Sequence, residues 1–161
     1  MASKRDFLRA QVNGHILDLV KGTISQHDFL TSAKASATFA KFPDTFALSQ
    51  IKDIKTAKLM CSFFGLSKIG TFSMLIQRLV AHFEFIRNDD LLLNKVDFNS
   101  LTSVQIIEAC DVRGIPTSNF SLPHLKNSLK GWVQFSCSFK SMEPGQLLWT
   151  RIFLLAKVPS A

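Results

Sequence analysis

The chain writes one helix-glycine-helix unit twice. Cys61 is followed four residues later by Gly65-Leu66, and Cys110 is followed four residues later by Gly114-Ile115. After each glycine comes a short polar connection and then a second apolar helix, marked by Leu75 and Leu79 in the first copy and by Leu125 and Leu129 in the second. The step from Gly65 to Leu75 is one residue shorter than that from Gly114 to Leu125. Units this small cannot bury an apolar face alone, so the pattern predicts two copies packed on each other or on flanking helices. Gly65 and Gly114 are read as structural residues, left-handed stops that a side chain would strain.

Composition limits what surrounds these units. The 161 residues suffice for a single compact domain, 1–161, with a sizeable core. Charged residues make up 19%, below the roughly 25% of an ordinary soluble domain, and there are 15 Phe and no Tyr. A surface this poor in charge exposes apolar area or covers it with a partner, which predicts residence in a larger assembly. The excess of 19 Lys and Arg over 12 Asp and Glu, +7 formally, favours anionic neighbours such as RNA, DNA or acidic lipid, so peripheral membrane contact stays open. Three cysteines cannot all pair internally, which predicts buried thiols in a reducing compartment. Asn119-Phe120-Ser121 matches a glycosylation acceptor but is read as a chance match, because no secretory signal is seen. No charge-free run approaches the ~20 residues of a spanning helix, so no transmembrane span is expected. The basic positions Lys4, Arg5 and Arg9 are interrupted by Asp6 and Asp18, and the segment is read as a structural helix rather than a presequence.

Along the chain every boundary signal is a helix cap or stop, and no segment sustains a two-residue alternation. The reading is all-α, with about seven helices. Residues 1–45 form a helical hairpin: Leu8, Val12, Ile16, Leu19 and Val20 share one face, and a second helix opens at Ser25 and stops before Pro43. The first repeat, 46–88, starts at the N-cap Asp53, stops at Gly65 and resumes at Thr71. Its second helix carries the stripe Phe72, Leu75, Ile76, Leu79, Phe83 and Ile86, with Met74, Ala81 and Phe85 on the opposite side, so it is sandwiched or forms an interface. In the second repeat, 89–140, Asn88-Asp89-Asp90 is expected to start a short helix over Leu91 to Asn94. Thr102 and Gln105 then make a capping box, Gly114 is the stop, Ser121 is the next N-cap, and Pro123 falls in a first turn where a missing N–H is harmless. Residues 141–161 form a last helix, reset by Pro144-Gly145 and apolar nearly all round, which plugs the core or docks elsewhere.

The chemistry of enzymes is hard to find. There is no phosphate-binding glycine loop, Gly-x-Ser-x-Gly elbow, Cys-x-x-Cys or His-Glu-x-x-His, and His15, His27, His82 and His124 stand singly. Asp89-Asp90 lacks the glycine and alternating oxygen donors of a calcium loop. The expectation is a protein that is not an enzyme, with no catalytic residues, metal site or cofactor. Partner contact is assigned to Met74, Phe85, Trp149 and Phe153. The helix-glycine-helix unit also looks like SAP-type motifs, some of which bind DNA. Lys52, Lys55 and Lys58 in the first unit, with Arg113, Lys126 and Lys130 in the second, are therefore candidate contacts to phosphates, against the plainer reading of solvated faces.

One ordered set of markers resembles a known family. Gly65-Leu66-Ser67-Lys68-Ile69-Gly70-Thr71, Gln77-Arg78-Leu79, Ile86-Arg87-Asn88-Asp89-Asp90, Ser100-Leu101-Thr102, Ala109-Cys110, Arg113-Gly114-Ile115, Leu129 with Trp132, and Leu147-Leu148 resemble the LETM family. These are leucine-zipper and EF-hand-containing transmembrane proteins of the mitochondrial inner membrane, and the resemblance lies in their matrix-facing, ribosome-binding-like domain. It implies an all-helical fold likened to the fourteen-three-three proteins and a matrix address against the inner membrane. As partners it implies protein subunits of a respiratory complex or the mitochondrial ribosome, with RNA contact as an extension. The chain is expected to lack the family's transmembrane helix and its coiled-coil and calcium-binding segments, which puts cation and proton exchange in doubt. The leading expectation is a non-catalytic docking subunit. The alternatives are a nucleic-acid-binding module and a soluble remnant of an exchange protein.

Overall fold

The computed structural model describes residues 51–139 and 144–155, with the helical positions Lys34, Ala37 and Ala40 before them; within 144–155, side chains are described for 145–148, 150 and 151. The hairpin expected over 1–45 otherwise lies outside the described residues, as does the chain beyond 155. The described residues are all-helical: α1 (Ile54–Phe63), α2 (Phe72–Leu93), a 3-10 turn (Phe98–Ser100), α3 (Ser103–Val112), α4 (Leu122–Cys137) and α5 (Pro144–Leu155).

Local chemistry accounts for the boundaries. The Asp53 carboxylate accepts from the N–H groups of Lys55 and Thr56 at 3.0 and 3.2 Å and opens α1. Thr71 opens α2, Ser121 opens α4 ahead of Pro123, and Thr102 with Gln105 forms the reciprocal box that opens α3. The two glycine stops are built alike. Gly65 and Gly114 have φ of 72° and 74°. Leu66 N–H donates to the Cys61 carbonyl at 2.8 Å and Gly65 N–H to Ser62; Ile115 and Gly114 do the same to Cys110 and Asp111. These paired bonds satisfy the last carbonyls of α1 and α3 in a Schellman arrangement, which only a left-handed residue permits. Each unit then spends its cysteine alike. The Cys61 thiol lies 3.8 Å from the Leu75 carbonyl and the Cys110 thiol 3.6 Å from that of Leu125, so the extra residue of the second unit is absorbed in its connection.

Helix α2 is the axis of the described bundle. It packs against α1, α4 and α5, and α3 packs against α4. Leu75, Leu79, Phe83 and Ile86 on one face of α2 are fully buried against Ala57, Met60, Cys61 and Phe64 from α1 and its cap, and with Leu129, Trp132, Val133, Leu147 and Leu148 in one continuous core. Phe64 meets Phe63 and Phe83 edge to face at centroid distances of 4.6 and 4.8 Å. Leu147 and Leu148 answer for their part of α5: that turn joins the core.

One expected element is absent. Asn88-Asp89-Asp90 starts no short helix, because α2 runs unbroken to Leu93. Asp90 continues the buried stripe of α2 one turn beyond Ile86, and its partners hold it there.

Candidate functional site

An ionic centre lies where α2, α3, α4 and α5 meet. Arg113, the C-cap of α3, is 0% exposed. Its Nε donates to Asp90 at 2.9 Å, one terminal nitrogen reaches Asp89 at 2.6 Å and the other donates to the Ala109 carbonyl at 2.8 Å. The Trp132 indole donates to the second Asp90 oxygen at 3.1 Å. Arg151 from α5 stacks 4.7 Å over the Trp132 ring and donates Nε to the Arg113 carbonyl at 2.9 Å. Burial pushes the Asp90 carboxyl up, and the Arg113 guanidinium with Ser136 and Trp132 pulls it back. On the other side of Asp90, Arg87 donates to the carbonyls of Ser136 and Phe139, closing the carbonyl end of α4 with a positive charge. Among the described residues the centre is a clamp joining four helices.

Arg113 is therefore corrected as a candidate contact to phosphate. A guanidinium buried from water and bonded to two carboxylates and a carbonyl is out of reach of an outside anion. The remaining basic candidates are on the surface. Lys52, Lys55 and Lys58 are all exposed at the start of α1. Lys126 and Lys130, one turn apart on α4, line an open cleft of about 320 Å³ with Asn94, Val96, Asp97, Phe98, Asn99, Asn127, Val133 and Gln134.

The expected partner contacts divide. Met74 and Phe85 are 49% and 54% exposed, on the face of α2 opposite the core. Ala81 between them is exposed, and Leu92 beyond them is 64% exposed. At 3.6 residues per turn these four fall within a narrow arc and form one line along the helix. The sequence reading missed Leu92 because it ended the helix too early. It also missed the exposed Val104 and Ile107 of α3. Trp149 and Phe153 belong to α5, and their side chains lie outside the described residues.

Other sites are not formed among the described residues. No group of three or more His, Cys, Asp or Glu could hold a metal, and no helix is long and apolar enough to cross a membrane. His82 Nε2 bonds the Val112 carbonyl at 2.7 Å and His124 stacks on Phe120. Cys61 and Cys110 are free and buried, and burial pushes the Cys110 thiol up to about 11.

Residues 9–154 match the family described as LETM1-like, RBD. The chain belongs to the LETM1-like RBD family. Among relatives, this LETM1-like chain is 27% identical over 128 residues to "LETM1 domain-containing protein 1" of Bos taurus, which covers 80% of the chain and 34% of that protein. It is 28% identical over 119 residues to the "Mitochondrial proton/calcium exchanger protein" of Drosophila melanogaster, covering 73% and 12%. With "LETM1 domain-containing protein mdm28, mitochondrial" of Schizosaccharomyces pombe the identity is 32% over 74 residues, covering 46% and 16%. The match thus spans about a third of the length of the bovine relative and less of the other two. No solved structure matches.

Proposed function

We propose that this LETM1-like domain is a non-catalytic docking module of a mitochondrial assembly at the inner membrane, and that it docks through the exposed line Met74, Ala81, Phe85 and Leu92 on α2. The single observation that carries the reading is this line: a straight row of apolar side chains in water, on the helix that anchors the rest of the core. Apolar rows of this kind fit a partner's groove or helix face. Family membership supports the reading, and the mitochondrial names of two relatives support the compartment. A respiratory complex and the mitochondrial ribosome are the candidate hosts. Ion exchange, named for the Drosophila relative, needs a structure that crosses a bilayer, which the described helices do not supply. In this reading the domain contributes contact, not a pathway.

Gradient sedimentation of mitochondrial extract tests it. The parent chain should travel with a large assembly, and Met74→Asp with Phe85→Asp should shift it to the free fraction while the helical circular dichroism stays unchanged. A parent chain that sediments as a free monomer overturns the proposal.

A second reading is electrostatic contact with ribosomal RNA through Lys52, Lys55 and Lys58. It is favoured by their exposure on one short segment. Three phosphate contacts would give a log-log salt slope of about −2 to −3, and a flat response would remove this reading.

A further inference from the structure

The cleft between the end of α2 and α4 is lined by an unusual inventory. Four carboxamides, Asn94, Asn99, Asn127 and Gln134, converge on it with two ammonium groups, Lys126 and Lys130. Among the described residues no side-chain hydrogen bond engages any of these carboxamides, and no carboxylate pairs with either lysine. The floor is apolar, made by the buried Val133 and the half-buried Phe98, which packs against the core. The single acid of the lining, Asp97, is committed locally: it caps the 3-10 turn by accepting from Asn99 N–H at 3.0 Å.

We propose that this cleft binds an extended acidic segment of a partner protein, with its carboxylates on Lys126 and Lys130 and its main chain on the four carboxamides. The chemistry decides the class. A carboxamide both donates and accepts, which matches the alternating C=O and N–H of an extended chain, and an ammonium answers a carboxylate. The cleft stands at the small end of the ~300–1,000 Å³ range of ligand clefts, so it takes a short stretch rather than a folded surface. The exposed Val96 on its edge offers contact to an apolar side chain placed between the acids. Single-stranded nucleic acid fits less well. Sequence-tolerant binding of bases uses open aromatic faces, and among the described residues the one ring lining the cleft, Phe98, is packed against the core. The cleft does not depend on the α2 line: Met74, Ala81, Phe85 and Leu92 line no part of it.

Fluorescence anisotropy on the full chain provides the test. The probes are a short fluorescein-labelled peptide of glutamate, leucine and proline, its glutamine counterpart and a labelled oligouridylate. The acidic peptide should bind. Lys126→Glu with Lys130→Glu should weaken it by on the order of tenfold or more, the glutamine peptide should bind less well than the acidic one, and Asn127→Ala should weaken binding with both charges in place. Lys130 and Asn127 are exposed, so Lys130→Glu and Asn127→Ala remain readable if a change at half-buried Lys126 perturbs folding. Phe85→Asp should leave peptide affinity unchanged, which separates this proposal from docking through α2. Tighter binding of oligouridylate, peptide affinity indifferent to the cleft variants, loss of peptide binding on Phe85→Asp, or no binding of the acidic peptide would each overturn it.

Discussion

Arg113 and Gly114 are neighbours in the chain, and each holds a different kind of order. Gly114 supplies a backbone geometry. At φ 74° a side chain meets the following carbonyl, at a cost of about 1–2 kcal/mol for an ordinary residue and more for a β-branched one. Gly114→Val should therefore lower stability by at least about 1 kcal/mol in a urea titration, and an unchanged midpoint would refute the assignment. Arg113 supplies a charge. Removing it strands Asp90, a carboxylate that is 0% exposed, so Arg113→Met should cost about 3–5 kcal/mol, while Lys130→Ala on the surface should move the same titration by less than about 0.5 kcal/mol. The glycine was legible from sequence because a stop after a periodic run is a local signal. The arginine was not, because its partners stand 23 and 24 residues away and only packing brings them together. The available clue was the register of Asp90. It falls on the apolar stripe of Leu75, Leu79, Phe83 and Ile86, where an acid demands a buried cation.

At the scale of elements, the caps were readable and the continuity of α2 was not. Asp53, Thr71, Thr102 with Gln105 and Ser121 all open helices where their side chains and spacing predict. Thr102→Ala should cost about 1 kcal/mol, because it removes one half of a reciprocal box and leaves the Gln105 N–H without its acceptor. Thermal unfolding of that variant checks the claim, and a melting temperature equal to the parent's would contradict it. The false start at Asn88-Asp89-Asp90 has a clear origin. Acids near a helix C-terminus oppose the dipole, so local rules prefer to place them at an N-terminus. In the fold Arg113 neutralises them from another helix, and α2 continues across the apparent boundary. That continuation carries Leu92 into line with Met74 and Phe85, which is why the docking face was only partly seen from sequence.

For the whole molecule, thiol burial sets an alkaline limit. Burial raises the thiols of Cys61, Cys110 and Cys137 alike, and Cys110 reaches about 11. A group raised on folding stabilises the native state fully below its unfolded pKa, and that stability is lost as pH climbs through the folded one. Stability should thus fall progressively from about pH 9 toward about 11, and Cys110→Ala should flatten the decline while weakening the core. Urea midpoints measured across that range test the sign; a stability that rises with pH there would contradict it. The clamp at Arg113 bears on how the molecule comes to be made. Its four contributing helices are strung from α2 to α5, and Arg151 is the last of its described contributors to leave a ribosome or an import channel. Until that arginine arrives, the indole of Trp132 lacks its cover and the Arg113 carbonyl its donor. A domain halted short of α5 therefore leaves this one corner of the bundle unclosed, whatever has already folded before it.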